Sequence, residues 1–248
     1  MLRIVILLWG ILLSGCASVP PMPTDAAGNI KNSKSVVSFF DVTERINYIE
    51  DVYLVLGVAQ VTSNSVYSGI WNSNKDLSAV HSEELSKIGV RASSLYDVLS
   101  DKEISEITAI QKEMLTLNSP GVDKSELKLN PRYRDILLNK GFNHLFWLTW
   151  SGYTLHIKTL GLPTRGSFGT TYWIFDLNSN KLIWSGSFYT TEKVLIVGVT
   201  GKEFIEKGNL AGLKSEVTRM TKERYKKISI DGQNRKSIGQ RIGLEENK

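Results

Sequence analysis

The side chains in this sequence that are best suited to metal binding and catalysis are three histidines and one cysteine, because such groups bind metals and act as bases or nucleophiles. His81, His144 and His156 lie far apart and form neither a His-x-His nor a His-Glu-x-x-His pattern. Cys16 is the single cysteine of the 248 residues, so no second thiolate exists to share a metal ion. The spacing predicts no metal site, and we expect no cofactor.

Two further segments approach catalytic motifs without matching them. Residues 166–169, Gly-Ser-Phe-Gly, lack the Gly-x-Ser-x-Gly spacing of a hydrolase nucleophile elbow. Residues 198–203, Gly-Val-Thr-Gly-Lys-Glu, place a lysine where a helix is expected to begin, but they lack the spacing of a phosphate-binding loop. The favoured interpretation of that segment is a helix start. We therefore predict no catalytic residues and a protein that is not an enzyme.

The first sixteen residues contain the most specific signal in the chain. Arg3 precedes an apolar run over residues 4–13 that is too short to span a bilayer. Leu-Ser-Gly-Cys at positions 13–16 resembles the lipobox of bacterial lipoproteins at all four positions. The resemblance implies that residues 1–15 are a cleaved signal peptide and that Cys16 carries lipid on its sulfur and on its amine. The alternative is an ordinary signal peptide that is cut at a later small residue.

Lipidation would place the mature chain on a membrane without spanning it, since two or three acyl chains are enough for stable anchoring. Ala17 differs from the aspartate that, in Gram-negative sorting, retains lipoproteins at the inner membrane. The resemblance therefore implies the outer membrane, on the side that faces the periplasm. The formal charge of +5 falls by one, to +4, when Arg3 is removed. In that location we expect no nucleic-acid partner.

Composition divides the rest of the chain into three parts. Residues 16–40 begin with a Pro-, Ala-, Asn- and Ser-rich stretch, which predicts a lipidated N-terminus and a flexible tether. A tether of about twenty residues would reach ~60 to 70 Å when fully extended. Residues 41–227 contain the apolar patterns of one domain, and residues 228–248 are predicted to form a basic, partly disordered tail.

Apolar spacing predicts an early strand, then helices, then a strand-rich block. The early strand is predicted over residues 52–61 and a helix over residues 77–88, and residues 95–131 are predicted to be a helical insertion. A capping box at Ser100 and Glu103 marks the start of one helix in that insertion. A further helix is expected to run from Pro131 to a glycine cap at position 141.

The strand-rich block occupies residues 142–199. It begins with a strand at 142–150 that is apolar on both faces and a strand at 153–158 in which apolar and polar residues alternate. A loop is predicted at 161–170. A hairpin at 172–177 and 182–189 and a short buried strand at 194–199 complete the block. A helix with an interruption near Gly208 follows. The fold class is therefore α/β: a single mixed sheet with an antiparallel hairpin, helices packed on it and a helical insertion around residues 95–131.

Aromatic residues are concentrated in the strand-rich block and give the candidate binding residues. The simpler interpretation is that they fill the core. The alternative is an exposed face or edge for partner docking, because tryptophan and tyrosine are enriched at interfaces. On that alternative, the candidate partner-binding residues are Arg165, Trp173, Trp184 and Tyr189.

Three segments together resemble a group of periplasmic proteins that comprises curli-secretion lipoproteins, penicillin-binding-protein activators and the TolB N-terminal domain. The segments are Leu-Val-Leu-Gly-Val at 54–58, Leu-Leu-Asn-Lys-Gly-Phe at 137–142, and the hairpin at 175–186 with its Asp-Leu, turn, Lys-Leu-Ile-Trp-Ser-Gly sequence. The resemblance implies a small α/β domain without catalytic residues that binds other envelope proteins or forms a homo-oligomer. The insertion at 95–131 departs from this pattern.

The expected function is that of a non-enzymatic, outer-membrane-anchored lipoprotein that acts as an accessory or assembly factor of an envelope complex through protein contacts. One alternative is a lipid-anchored glycan hydrolase with Asp176 or Glu192 as acid and base. Another is a carrier of a small ligand or lipid, which would need an enclosed apolar pocket.

Overall fold

The computed structural model describes residues 21–54, 57–116, 127–158, 165–193, 201–226, 228–230 and 233–245. The helices are α1 (Thr24–Asn32), α2 (Ser73–Lys87), α3 (Leu95–Val98), α4 (Asp101–Thr116), α5 (Pro131–Asn139), α6 (Gly201–Tyr225) and α7 (Ile238–Ile242). The strands are β1 (Lys34–Asp41), β2 (Arg45–Leu54), β3 (Gly57–Val66), β4 (Arg91–Ser94), β5 (His144–Lys158), β6 (Arg165–Asp176), β7 (Lys181–Lys193), β8 (Ile228–Ile230) and β9 (Gln233–Arg235).

One mixed seven-stranded sheet organises the fold, as the sequence predicted. The long strand β5 pairs with β6 along one edge, and β6 pairs with β7. Along its other edge, β5 pairs in parallel first with β1 and then with β2. Strands β1 and β2 therefore lie end to end. Strand β4 continues the sheet beside β1, and β3 continues it beside β2.

Strand β5 contains a bulge beside the point where β1 ends and β2 begins. The register of β5 shifts between Trp150 and Tyr153, so both side chains lie on the same face of the sheet although they are three residues apart. Gly152 adopts a φ of +98° in this bulge. A Cβ atom there would lie 2.7 Å from Thr43 Oγ1 and 2.8 Å from the Arg45 carbonyl oxygen, so the close approach requires glycine.

Helices cover both faces of the sheet and create two hydrophobic cores. On the first face, α1, α2, α6 and α7 pack against side chains such as Phe146, Leu148 and Trp150 of β5. On the second face, α3, α4 and α5 pack against Leu145 and Trp147 of the same strand. Residues 144–148 of β5 are buried on both faces of the sheet. This explains why both faces of the strand are apolar in that part of the sequence.

Several local predictions are confirmed. The capping box at Ser100 is present, because its backbone N–H donates to Glu103 Oε2 at 2.8 Å. Helix α5 ends before Gly141, which has a φ of +79°. The interruption in α6 is present as well, since Gly208, Asn209 and Leu210 all have positive φ.

The predicted tether is wrong from Pro21 onward. Residues 21–40 form α1 and most of β1, a central strand with seven of its eight residues buried. The predicted tail is also wrong over residues 233–245, because Ile238, Ile242 and Leu244 lie in the core of the first face. Both segments have modest hydrophobicity on their own and become buried through tertiary contacts.

Two strand predictions need correction, and one cannot be assessed. Residues 52–61 are not a single strand but the end of a hairpin, in which Leu54 pairs with Gly57. The predicted loop at 161–170 is strand β6 from Arg165 onward. The predicted strand at 194–199 lies outside the described residues, as does Cys16. Among the described helices, none is long and apolar enough to cross a membrane.

Candidate interaction surfaces

The four predicted binding residues do not form one surface. Trp173 is buried on the second face, where its ring centroid lies 6.3 Å from that of Trp147. Trp184 is buried on the first face and stacks on Phe188 at 6.0 Å. These two tryptophans are therefore part of the two cores, and no partner reaches both from one side. Partner binding through Arg165 and Tyr189, which are exposed, remains a prediction.

Tyr189 lies on an open part of the second face, beyond the helices that cover the other half. Its side chain is 69% exposed, and Val42 across the same depression is 48% exposed. The depression has a volume of about 240 Å³ and includes Thr171 and Ser187, whose hydroxyl oxygens are 2.8 Å apart. Exposed aromatic residues are enriched at protein contact surfaces, and Tyr189 is such a residue.

Strand β3 provides a second surface, which the sequence analysis missed. It pairs with β2 on one side and forms the end of the sheet on the other. Its ten residues contain no charge and no proline, although edge strands are normally protected by lysines, prolines, bulges or short length. Two of its valines, Val61 and Val66, are at least half exposed. Among the described residues, β2 is the strand that pairs with β3, so the outer backbone edge of β3 is open to pairing within that part of the chain.

The most strongly perturbed histidine lies inside the protein. His81 is fully buried between α2, α6 and the sheet, and its Nδ1 lies 2.9 Å from the Tyr225 hydroxyl and 3.3 Å from the Tyr172 hydroxyl. Burial, with a smaller contribution from the Arg224 charge, lowers the pKa of His81 to about 3. A neutral, enclosed imidazole holds α6 on the sheet and has no access to a substrate.

Asp41 is the buried carboxylate at the junction of β1 and β2. Its Oδ1 accepts the backbone N–H groups of Thr43 at 3.1 Å and Glu44 at 2.9 Å. Its Oδ2 accepts the hydroxyls of Tyr67 and Ser73. Burial raises the pKa of Asp41 against the opposing effect of these bonds. Although Asp41 and Glu44 border one cleft of about 290 Å³, both Asp41 oxygens are engaged within the fold.

A serine, a histidine and an aspartate meet near the start of β5 but do not form a catalytic chain. Ser33 Oγ lies 2.8 Å from His144 Nδ1 and donates to the Asn29 carbonyl oxygen at 2.7 Å, which ends α1. Asp176 pairs with His144 across the strands but accepts bonds from the turn that follows it, including the Ser179 hydroxyl at 2.7 Å.

Asp176 also lacks the raised pKa that a glycosidase acid needs. Burial tends to raise its pKa, but the hydrogen bonds from Ser179 and the turn backbone outweigh burial, and the pKa is lowered. The side chain of Glu192 lies outside the described residues. Within the described ranges, no group of three His, Cys, Asp or Glu side chains is arranged to hold a metal ion.

The fold and these surfaces define an open-sheet α/β protein whose accessible features are strand edges and a shallow face. No family model matches the chain, and no curated protein matches it. Its fold is similar to the PelC dodecamer protein of Paraburkholderia phytofirmans, at 10% identity and a TM-score of 0.39, over 82% of this chain and 89% of that one.

Two other solved structures are similar as well. Lipoprotein GNA1162 of Neisseria meningitidis is 14% identical with a TM-score of 0.34, over 75% of this chain and 96% of that one. The C-terminal domain of LpoB from Salmonella enterica is 12% identical with a TM-score of 0.29, over 69% and 96%. At these scores the likeness carries no argument about what this chain does.

Proposed function

We propose that this chain is a non-enzymatic accessory or assembly factor of a cell-envelope complex, and that it acts through protein contacts. The observation that carries the proposal is the open edge of β3, a ten-residue strand without charge or proline. Such an edge lacks the usual protection against pairing, so it is a ready template for a strand of another chain. The depression that contains the exposed Tyr189 on the second face of the sheet provides a second surface for contact.

The proposed location is the periplasmic side of the outer membrane, with lipid on Cys16. The Leu-Ser-Gly-Cys sequence at 13–16 and Ala17 support this part of the proposal. Anchoring limits the partners to proteins at or near that membrane.

Self-association is part of the proposal. Among the described strands, the sheet ends in β3 and β4 along one side and in β7 along the other. Edge strands on opposite sides of one subunit allow head-to-tail contacts, and two copies of one edge allow a symmetric dimer. β3 carries no charged residue that would oppose either arrangement.

The test changes the edge and leaves the fold intact. Thr62→Lys with Asn64→Lys adds two charges to exposed positions of β3, and Ser215→Lys on the exposed surface of α6 serves as the control. The full lipidated chain is measured by light scattering in detergent and by crosslinking in its native envelope. We expect the wild type and the control to give the same assemblies and crosslinked proteins, and the β3 variant to lose them.

A monomeric mass at every concentration, together with identical crosslinked proteins for all three chains, would overturn the proposal. The enzyme and carrier alternatives receive less support. The described carboxylates that border clefts or turns serve the fold, and the described grooves are open to solvent rather than enclosed.

A further inference from the structure

A groove runs along the free edge of β4, in the half of the sheet that β3 does not reach. β4 pairs with β1 and forms the end of the sheet there. Two adjoining depressions of about 780 and 690 Å³ share Ala92 and Ser93 of β4, Ser86 of α2 and Val98 of α3. We call this groove the β4 slot. Since α2 lies on the first face and α3 on the second, the slot opens between the two helix layers, in the plane of the sheet.

The dimensions and side chains of the β4 slot suit an added strand. A strand that pairs with β4 would lie about 4.8 Å from it, which is the position that the slot leaves open. The β4 residues along the floor, Ala92, Ser93 and Ser94, are small, so a backbone can approach closely. The Ser86 hydroxyl donates to the Ser82 carbonyl oxygen at 2.8 Å and lies 3.4 Å from the Ala92 carbonyl oxygen, so an incoming N–H can bind that carbonyl. The Ala92 N–H already donates to the Val90 carbonyl oxygen at 2.9 Å.

The two ends of the β4 slot differ in charge, which favours one orientation of a bound strand. Lys34, Arg91 and Lys140 border the end where β4 begins, and no carboxylate lines that depression. Two of these cations are engaged: Arg91 donates to the Asn32 carbonyl at the end of α1, and Lys140 lies 3.1 Å from Glu103. Lys34 makes no ion pair within the described residues. The opposite end is bordered by Glu83 and Asp97 beside Lys87.

We propose that the β4 slot binds the C-terminal segment of a partner protein, extended and antiparallel to β4, with a carboxylate among Lys34, Arg91 and Lys140. An antiparallel strand places its carboxyl end beside the first residue of β4, where the cations are. Backbone pairing supplies affinity, and the carboxylate sets the register. This inference rests on the proposed role in protein contacts but uses a different edge, so it can fail on its own.

The experiment uses the full lipidated chain in detergent. The probe is a pool of fluorescein-labelled hexapeptides, randomised at four positions and ending in Thr-Glu with a free carboxylate. A matched pool ends in Thr-Gln with an amide. Binding is followed by anisotropy at low and high salt, and backbone hydrogen exchange is measured for Ser94. The variants are Lys34→Glu with Lys140→Glu, and Lys236→Glu as the control on an exposed lysine outside the slot.

We expect the acidic pool to bind at least tenfold more tightly than the amide pool, and the double variant to lose at least tenfold in affinity. The Lys236→Glu control should stay within twofold of the wild type. Exchange at Ser94 should slow when peptide is bound.

Equal binding of the two pools, or no binding at 1 mM, would overturn the proposal. Displacement of the peptide by inorganic phosphate without any protection of β4 would reduce the site to an anion site and overturn strand addition. If the crosslinked envelope proteins persist while peptides do not bind, the slot inference fails and the proposed function stands.

Discussion

At the scale of single residues, the burial of His81 beneath α6 makes the stability of the fold depend on pH. Its ring stacks on Phe39 at 5.6 Å, and its Nε2 is buried without a hydrogen-bond partner among the described residues. The folded protein therefore resists protonation of His81, whose pKa is lowered from 6.5 to about 3. In the unfolded chain the same group takes up a proton below about pH 6.5. Between those two values the unfolded state binds more protons, so stability falls as pH falls.

We predict that His81→Phe flattens the acid limb of the stability curve. In the wild type, this residue contributes a slope that approaches ~1.4 kcal/mol per pH unit between about pH 6 and pH 4. The variant should lose that contribution, although it is less stable near neutral pH because the Tyr225 bond is removed. Urea unfolding at several pH values measures both effects. His156→Gln, at a half-exposed position, is the control. Parallel curves for the wild type and His81→Phe would contradict the prediction.

Asp41 is predicted to be structural. Asp41→Asn keeps the size of the side chain but removes the charge and replaces one of two accepting oxygens with a donor, so the Tyr67 and Ser73 hydroxyls must become acceptors or lose their bonds. We expect a loss of ~1 to 3 kcal/mol in the free energy of unfolding. Asp135→Asn on the surface of α5 should change it by less than ~0.5 kcal/mol. An Asp41→Asn variant as stable as the wild type would show that these bonds contribute little.

At the scale of elements, the bulge at Gly152 is what lets β5 serve two partner strands. Gly152→Ala is predicted to destabilise the fold by ~2 to 4 kcal/mol, because positive φ and close contact with the Arg45 carbonyl act together. The matched control is Gly169→Ala in β6, where a Cβ atom would lie 3.4 Å from Tyr189 Cδ2 and no positive φ is required. Thermal unfolding compares the two. Equal losses would mean that the bulge is not under steric constraint.

The elements that could be predicted were those with a strong local signal. The β6–β7 hairpin and the capped helices α4 and α5 each carry turn or cap residues at fixed spacing. β1 was missed because Ser35, Ser38 and Asp41 interrupt its apolar pattern. In the structure, Ser38 accepts a bond from Gln111 of α4, and Asp41 binds the turn that begins β2. Such partners are distant in sequence, so no local pattern reveals them.

The surfaces were harder to predict than the elements. Exposure of Tyr189 could not be separated from the burial of Trp173 and Trp184, because each of the three follows another apolar or aromatic residue, so the pattern does not say which face is buried. The sequence contains one usable signal for the β3 edge, ten residues without charge or proline, but it becomes informative only when the sheet order is known. The β4 slot combines Lys34, residues between 79 and 98, and residues 140 and 142, which lie far apart along the chain.

At the scale of the whole molecule, the early start of the fold changes the expected geometry at the membrane. The Met22 backbone N–H donates to the Ile242 carbonyl oxygen at 3.1 Å, which fixes the start of the described chain beside α7. Four residues, 17–20, separate Cys16 from Pro21, so the five Cα–Cα steps span at most ~18 Å. A domain anchored at Cys16 would therefore lie next to the bilayer, and the long reach that a twenty-residue tether would give is lost.

This closeness can be measured with lipids that quench fluorescence. A probe attached at Asp25→Cys near the start of α1 should be quenched more strongly in liposomes than one at Ser105→Cys, on the exposed surface of α4 across the sheet. Insertion of twenty Gly and Ser residues after Ala17 should remove the difference, because a flexible linker of that length lets the domain turn freely. If both probes are quenched equally at the native length, the domain is not held against the membrane by its N-terminus. Its orientation would then be set by whatever pairs with β3 or occupies the β4 slot.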